Sequence, residues 1–213
     1  MLQVAEALDS FGASDLSDSH MVPTNLIVII GGSGTGKTTL ARALQERLLP
    51  DQWFHISPDT LLYCLPKSIV DRADSANDWS AIDTKLITEL AYSCVREALR
   101  SGARVVFDCV VMTDRRARQL LAAFAGNDPF LVATTCAWDE LLRRTQLRGD
   151  RTLEEVRRGF ETGGQFLEPD CMLDTTVSPP AKLVDELLNH LAYRGLTSAW
   201  RRNLTRYSEL GEA

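Results

Sequence analysis

Five short aliphatic runs alternate along this chain with longer segments whose apolar residues recur every three or four positions. The runs predict buried strands, because uninterrupted aliphatic stretches are typical of a parallel sheet that is covered on both faces. The segments between them have helical periodicity, and this alternation is typical of an α/β protein. The predicted strands are Leu26–Ile30, Trp53–Ile56, 104–108, Phe130–Thr135 and Cys171–Asp174, and the predicted helices are 37–49, 79–100, 114–125, 139–147 and 181–193.

The pattern divides the chain into one domain and two extensions. Residues 26–195 carry the alternating elements and form the predicted domain, and an acidic stretch within it, from Asp71 to Asp83, is interpreted as a solvated loop. Residues 1–25 end in a segment rich in Ser, Asp and Gly, which predicts a flexible N-terminal extension. Residues 196–213 are predicted to pack on the domain or on a partner subunit, so a homo-oligomer is one expectation.

A phosphate-binding motif, G-x-x-x-x-G-K-[ST], joins the first predicted strand to the first predicted helix. The glycines let successive backbone N–H groups turn toward phosphate oxygens at a helix N-terminus. In this motif the lysine reaches the β- and γ-phosphates and the hydroxyl binds Mg²⁺. A glycine-rich turn without a ligand is the competing interpretation, and the complete strand–loop–helix setting argues against it. The predicted nucleotide-binding residues here are Gly31, Gly32, Ser33, Gly34, Thr35, Gly36, Lys37, Thr38 and Thr39.

Composition limits the classes of function. The 213 residues have a formal net charge of −6, which argues against nucleic acid as the main partner, and no apolar run approaches membrane-spanning length. The N-terminus lacks the features of a secretory signal, and five scattered cysteines indicate reduced thiols, so the predicted location is the cytoplasm. Three histidines and the cysteine spacing favour neither a zinc site nor a histidine-activated nucleophile.

Two aspartates follow predicted strands. Asp108 ends the third strand, where the carboxyl edge of a parallel sheet would bring it beside the phosphate loop as a magnesium ligand. Its competing role is to turn the chain into the next loop. Asp59 follows Ser57 and Pro58, which are typical of a helix N-cap and first helical position. From the residues alone, Asp59 is equally well interpreted as a first-turn carboxylate favoured by the helix dipole and as the general base of a kinase.

Four arginines lie within nine positions after the fourth strand. Arg144, Arg148 and Arg151 fall on one helix face, at spacings of four and three residues. Guanidinium groups can stabilise the charge of a phosphoryl group in transfer, and Gly149 would allow the segment to bend as a lid. The alternative is a solvated basic face.

Several segments, in this order, resemble the chloramphenicol phosphotransferase family of small antibiotic kinases. They are Ile29-Ile30-Gly31-Gly32-Ser33 with Gly36-Lys37, Asp59-Thr60-Leu61 with Leu65-Pro66, Ser101-Gly102-Ala103-Arg104 with Asp108, Arg144 with Arg148-Gly149-Asp150-Arg151, and Asp174-Thr175-Thr176. The resemblance covers roughly residues 26–193. It implies that Asp59 is the catalytic base, that Arg144 and Arg148 are lid arginines, and that residues 31–38 bind the nucleotide. Cys109 stands where the family often has a second aspartate, and residues 163–170 lack the family's histidine and Tyr-Asp pair.

Motif and resemblance together predict a three-layer P-loop kinase fold, with a central five-stranded parallel sheet and a helical lid that carries arginines. The predicted activity is phosphorylation of a small molecule's hydroxyl group, such as that of an antibiotic, with ATP and Mg²⁺ as cofactors. A kinase of a cellular metabolite or nucleotide sugar is the alternative enzyme, since folds of this kind serve many substrates. A nucleotide-dependent switch without transfer activity is the non-enzymatic alternative, although the chain has no N-K-x-D motif for reading guanine.

Overall fold

The computed structural model describes residues 24–76, 78–148, 152–194 and 198–209. Residues 1–23 of the predicted N-terminal extension therefore lie outside the described residues. Five strands pair in parallel in the order β2-β3-β1-β4-β5. Their bounds are β1 Leu26–Ile30, β2 Trp53–Ile56, β3 Arg104–Cys109, β4 Phe130–Thr135 and β5 Cys171–Asp174.

Helices cover both faces of this sheet. Buried side chains of α1 and α8 pack on one face, and those of α4, α5 and α9 pack on the other. The expected α/β architecture with a five-stranded parallel sheet is confirmed. The helices of the described residues are α1 Lys37–Arg47, α2 Pro58–Leu62, α3 Lys67–Ala76, α4 Thr84–Arg100, α5 Asp114–Ala123, α6 Trp138–Arg148, α7 Leu153–Thr162, α8 Pro180–Ala192 and α9 Ala199–Glu209.

The strand order places a topological switch point at the carboxyl end of β1. The chain leaves β1 for β2 and β3 on one side of it and then crosses to β4 and β5 on the other. Open parallel sheets bind ligands at such a point, because the loops that leave the neighbouring strands diverge there and leave a crevice. The phosphate-loop sequence begins at this position, directly after Ile30.

The region between β2 and the long helix differs from the expectation. The acidic stretch was expected to be a loop, but Asp71 and Asp74 lie within α3, where residues such as Ala73 pack into a small apolar cluster. The long helix begins at Thr84 rather than at residue 79, because Asp83 is its N-cap. The Asp83 side chain accepts hydrogen bonds from the backbone N–H groups of Lys85 (3.0 Å) and Leu86 (2.9 Å).

The C-terminal helix α9 packs into the main core. Trp200 is fully buried and lies beside Phe124, with ring centroids 6.4 Å apart. Asn203 is also buried, and its side-chain amide donates a hydrogen bond to the carbonyl of Glu168 at 2.8 Å. The hydroxyl of Tyr207 donates to the carbonyl of Phe166, also at 2.8 Å. These contacts join α9 to the segment that precedes β5.

Candidate active site

The phosphate loop wraps around the N-terminus of α1. Gly36 is the N-cap of that helix and has a φ of +84°, a backbone conformation that side chains with a Cβ rarely adopt. The first turn of α1 contains no acidic residue, so its N–H groups and the partial positive charge of the helix are available to an anion. Lys37 is buried, and its ammonium donates to the carbonyl of Gly32 at 2.9 Å across the loop.

Threonine hydroxyls attach the phosphate loop to β4 and to the segment that follows β5. The hydroxyls of Thr35 and Thr134 lie 2.7 Å apart, and Thr134 belongs to β4. Thr175, which follows β5, donates its hydroxyl to the carbonyl of Thr35 at 2.9 Å, while its backbone N–H donates to the carbonyl of Thr135 at 2.9 Å. Thr35, Thr134 and Thr175 are all buried. The loop is thus held in its curved form by the strands on one side of the switch point, which reduces the ordering that a bound phosphate would require.

An oxygen-rich pair lies at the base of the loop. The Thr38 hydroxyl donates to Oδ2 of Asp108 at 3.1 Å, and the Asp108 side chain is 5% exposed. Hydroxyl and carboxylate oxygens are the ligands that Mg²⁺ prefers, and sites of this kind combine one or two carboxylates with substrate phosphates. These two residues therefore fit the role of holding Mg²⁺ beside the phosphate loop.

His55 is a third member of this cluster that the sequence interpretation missed. Its Nε2 lies 2.7 Å from Oδ2 of Asp108, and its side chain is 12% exposed. The β2–β3 register pairs His55 with Val106, so that Asp108, two residues further on, projects from the same face of the sheet. That register was the missing signal, because the local sequence gives no indication that residues 55 and 108 are neighbours.

Cys109 directly follows this aspartate, where the resembling family often has a second carboxylate. The thiol is buried, and burial raises its pKa to about 12. A thiol in this state is protonated near neutral pH and replaces neither the charge nor the oxygen ligand of an aspartate. Within this cluster, Asp108 therefore supplies the carboxylate.

A cavity of about 260 Å³ opens beside the loop, between α1 and the segment that follows β5. Its lining combines apolar side chains, including Leu40, Pro180 and Leu183, with the hydroxyl-bearing Thr39 and Ser178. Among the described residues that line it, none has an acidic side chain. A flat aromatic base can enter such a space, with its phosphates directed toward the N-terminus of α1.

Arg144 closes one side of this cavity. Its guanidinium donates to the carbonyl of Thr175 at 2.6 Å, to the Thr175 hydroxyl at 3.1 Å and to the carbonyl of Gly34 at 3.3 Å. Its Nε donates to Glu140, one turn earlier on α6, at 2.8 Å. Hydrogen bonds from Arg143 and then Arg144 lower the pKa of Glu140 to about 2. Arg144 therefore connects α6, the phosphate loop and the segment after β5.

The other predicted lid residues are less fully described. Arg148 is the last residue of α6, and its side chain is outside the described parts of the structure, as are Gly149 and Arg151. The second helix of this region, α7, packs against the phosphate loop, since a Cβ at Gly32 would lie 2.7 Å from the carbonyl oxygen of Gly159. The described part of the predicted lid is thus the end of α6, which contacts the loop through Arg144, and the next helix, α7, contacts the loop through its backbone.

Asp59 lies in the first turn of α2, at the carboxyl edge of β2. The N-cap of this helix is Ser57, whose hydroxyl accepts the backbone N–H of Thr60 at 3.1 Å. The Asp59 side chain is exposed and makes no hydrogen bond or ion pair with the described residues. The capping role therefore belongs to Ser57, which leaves the Asp59 carboxylate available to another group at this edge of the sheet.

The sheet order, the phosphate loop at the switch point and the covering helices define a P-loop kinase fold. The chain belongs to the chloramphenicol phosphotransferase-like protein family, whose model matches residues 24–192. A relative from Mycobacterium tuberculosis, provisionally named an O-phosphotransferase, is 32% identical over 187 residues, which cover 79% of this chain and 82% of the relative. The expected family and the expected enzyme class are both confirmed.

Solved structures agree on the fold. A provisionally assigned kinase of Chloroflexus aurantiacus superposes with a TM-score of 0.58 at 20% identity, covering 82% of this chain and all of that one. A shikimate kinase of Acinetobacter baumannii, in complex with shikimate, superposes with a TM-score of 0.54 at 16% identity, covering 83% of this chain and 97% of the other. At these sequence identities, the two solved structures show the fold of this chain and nothing about its substrate.

In the described parts of the chain, no helix is long and apolar enough to cross a membrane.

Proposed function

We propose that this protein transfers the γ-phosphoryl group of ATP to a hydroxyl group of a small molecule, with Asp59 as the general base. The observation that carries the proposal is the Thr38–Asp108 pair at the base of the phosphate loop, a loop whose Gly34 and Gly36 also line a cavity of about 260 Å³. This arrangement offers places for the metal, the phosphates and the base of a nucleotide around one helix N-terminus. A bare glycine turn would not supply the buried carboxylate or the cavity.

The donor site favours adenine in this proposal. The described residues that line the cavity include no carboxylate to accept the N1–H and amino group of guanine, whereas Leu40 and Leu183 offer apolar contact to an adenine or a guanine ring. Arg144 would lie beside the phosphates, on a helix that already contacts the loop. Backbone N–H groups from Gly31 to Thr39 and the Lys37 ammonium would hold the phosphates.

Thr38 and Asp108 are the residues that would hold Mg²⁺. When bound, the ion neutralises part of the phosphate charge and orients the terminal phosphoryl group. The surrounding residues carry the rest of the donor chemistry. Lys37 binds the β- and γ-phosphates, and Arg144 together with Arg148 stabilises the charge that spreads over the transferring oxygens.

Asp59 would accept the proton of the acceptor hydroxyl. As that O–H bond breaks, the hydroxyl oxygen forms a bond to the γ-phosphorus, and the bond from this phosphorus to the bridging oxygen of ATP breaks with its electron pair leaving on ADP. The unengaged carboxylate of Asp59, on the same sheet edge as Asp108, supports this role. No covalent enzyme intermediate is required.

A phosphorylation screen identifies the acceptor. The protein is incubated with ATP and Mg²⁺ and with hydroxyl-bearing antibiotics, sugars or nucleotide metabolites, and mass spectrometry detects addition of one phosphoryl group. Antibiotics are the first group in the screen because the family is named for chloramphenicol phosphotransferase. Phosphorylation of metabolites alone would identify the alternative kinase, and ATP binding without any product would favour the switch.

The Lys37→Ala variant is the control for this screen. Loss of the ammonium that faces the phosphate loop should abolish transfer to every acceptor found, while far-ultraviolet circular dichroism stays unchanged. Transfer that persists in Lys37→Ala would contradict the assignment of the phosphate loop.

Because the thiols of all five cysteines are free in the structure, the reducing cytoplasm remains our proposed location.

A further inference from the structure

His55 lies against the buried Asp108 carboxylate, and the transfer chemistry described above uses Asp108 but not His55. The two side chains are 12% and 5% exposed, and His55 Nε2 lies 2.7 Å from Asp108 Oδ2. The same oxygen accepts the Thr38 hydroxyl at 3.1 Å. One carboxylate oxygen thus has two partners from different elements, α1 and β2, while Oδ1 accepts no hydrogen bond from the described residues.

Chemistry determines the direction of the His55 hydrogen bond. An ionised carboxylate can only accept, so a proton must reside on Nε2 for this contact to be favourable. With Nε2 as donor, the imidazole resists rotation of the Asp108 carboxylate and keeps Oδ2 directed toward β2 and Thr38. The opposite oxygen, Oδ1, is then presented away from the sheet partner.

We propose that His55 is a positioning residue that orients the Asp108 carboxylate for Mg²⁺. The inference rests on the proposed function, because it takes Asp108 and Thr38 as the residues that hold the ion. Residues that hydrogen-bond a metal ligand orient it and tune its basicity, and their loss typically weakens metal binding by about 10- to 100-fold. His55 touches neither nucleotide nor acceptor in this account, so it acts only through Asp108.

The place of His55 in the fold explains why this role falls to a residue of β2. Within the described residues, β2 is at the edge of the sheet and pairs with β3 alone, the strand that carries Asp108. The side chain two residues before His55, Trp53, is buried against α1 on the same face. His55 is therefore held in register by a strand and packed next to the helix that carries Thr38.

Three substitutions separate positioning from packing. His55→Leu keeps an apolar side chain of similar size and removes the donor, while His55→Gln retains an N–H near the position of Nε2. His190→Leu is the matched control, because His190 is exposed in the last turn of α8, away from Asp108. If His55→Leu does not fold, His55→Asn, whose amide is too short to reach, takes its place.

The experiment titrates Mg²⁺ into each folded variant in the presence of mant-AMP-PNP, a fluorescent ATP analogue that does not transfer its terminal phosphoryl group. Fluorescence reports the Mg²⁺ concentration at half-maximal binding, and thermal unfolding without ligand is recorded in parallel. We expect His55→Leu to raise the half-saturating Mg²⁺ concentration by about tenfold or more. His55→Gln should stay within about threefold of wild type, and His190→Leu should equal wild type.

Two results would overturn the inference. In the first, His55→Leu needs no more Mg²⁺ than wild type, even if it unfolds at a lower temperature, because His55 then only fills space. In the second, His55→Gln is as impaired as His55→Leu, because the donor is then not the cause. A wild-type protein that binds the analogue equally well with and without Mg²⁺ would overturn the metal site of the proposed function as well, which distinguishes that failure from a failure of His55 alone.

Discussion

Replacing Arg144 by Met tests whether one guanidinium joins the lid helix to the phosphate loop. The methionine keeps the unbranched stem and a high helix propensity but removes every donor. Arg144 is 22% exposed, and its three bonds to Thr175 and Gly34 cross between separate elements. The substitution removes these tertiary contacts together with one contact inside α6, the bond from Arg144 Nε to Glu140.

The magnitude follows from those bonds. A hydrogen bond that involves a charged group contributes about 1.5–3 kcal/mol, and bonds that share one partner are not additive. Two of the three bonds share Thr175, the third is long at 3.3 Å, and the site is partly solvated. We expect a loss of about 2–3 kcal/mol, which lowers Tm by about 4–12 °C in a protein of this size.

Circular dichroism during thermal unfolding measures this change, with Arg143→Met as the matched control. Arg143 is the neighbouring residue on α6, is 60% exposed and bonds only to Glu140 among the described residues. Exposed ion pairs contribute little to stability, so the control should unfold within about 2 °C of wild type. If Arg144→Met unfolds at the same temperature as Arg143→Met, the bonds to Thr175 and Gly34 do not join the lid to the loop in solution.

Two further predictions concern stability. The folded pKa of Glu140 is lowered to about 2 from an ordinary value of 4.5, so its stabilising contribution is complete above pH 4.5 and is lost as the pH falls toward 2. The Tm difference between wild type and Glu140→Gln should therefore shrink between pH 5 and pH 2. A constant Tm difference would contradict the ion pairs of Glu140 with Arg143 and Arg144. Trp200→Ala removes a fully buried side chain and should lower the free energy of unfolding, measured in urea, by about 3–5 kcal/mol. The control is Tyr193→Ala, whose replaced residue is 87% exposed and which should change that free energy by less than about 0.5 kcal/mol. Equal effects of the two substitutions would show that α9 does not belong to the core.

The strands could be predicted from the sequence because their burial is continuous. All five residues of β1 are fully or almost fully buried, and such a run has no other stable place in a folded chain. The phosphate loop could also be predicted from the sequence, because its glycines and Lys37 have a fixed spacing. Local information was sufficient in both cases.

Besides α3, the helices α7 and α9 were not predicted, and the reason is physical. The buried stripe of α9 contains Asn203, whose polarity interrupts the apolar pattern, although its amide finds partners in the carbonyls of Glu168 and Ala199. In α7, charged residues surround the buried Val156, and Gly159 lowers the helix propensity where the backbone must approach the phosphate loop. Tertiary contacts stabilise both segments, and a local pattern does not show such contacts.

In the candidate site, too, some neighbours could be predicted from the sequence and others depend on tertiary structure. Thr38 and Asp108 could be proposed as neighbours because the carboxyl edge of a parallel sheet brings strand ends together. His55 required the register of β2 against β3, and the bonds of Arg144 to Thr175 required the position of α6. The role of Asp59 stays a prediction, supported by its exposed, unengaged carboxylate at the sheet edge.

The steady-state kcat of Asp59→Asn, measured with an acceptor from the screen and saturating ATP and Mg²⁺, tests the proposed transfer mechanism most directly. Asp139→Asn is the control, since Asp139 is another exposed acid in the first turn of a helix, and its replacement carries the same small cost to the helix dipole. We predict that kcat falls by about 10²- to 10⁴-fold in Asp59→Asn, with nucleotide affinity unchanged, and stays near wild type in the control. A decrease of less than about tenfold in Asp59→Asn would contradict the role of Asp59 as the base.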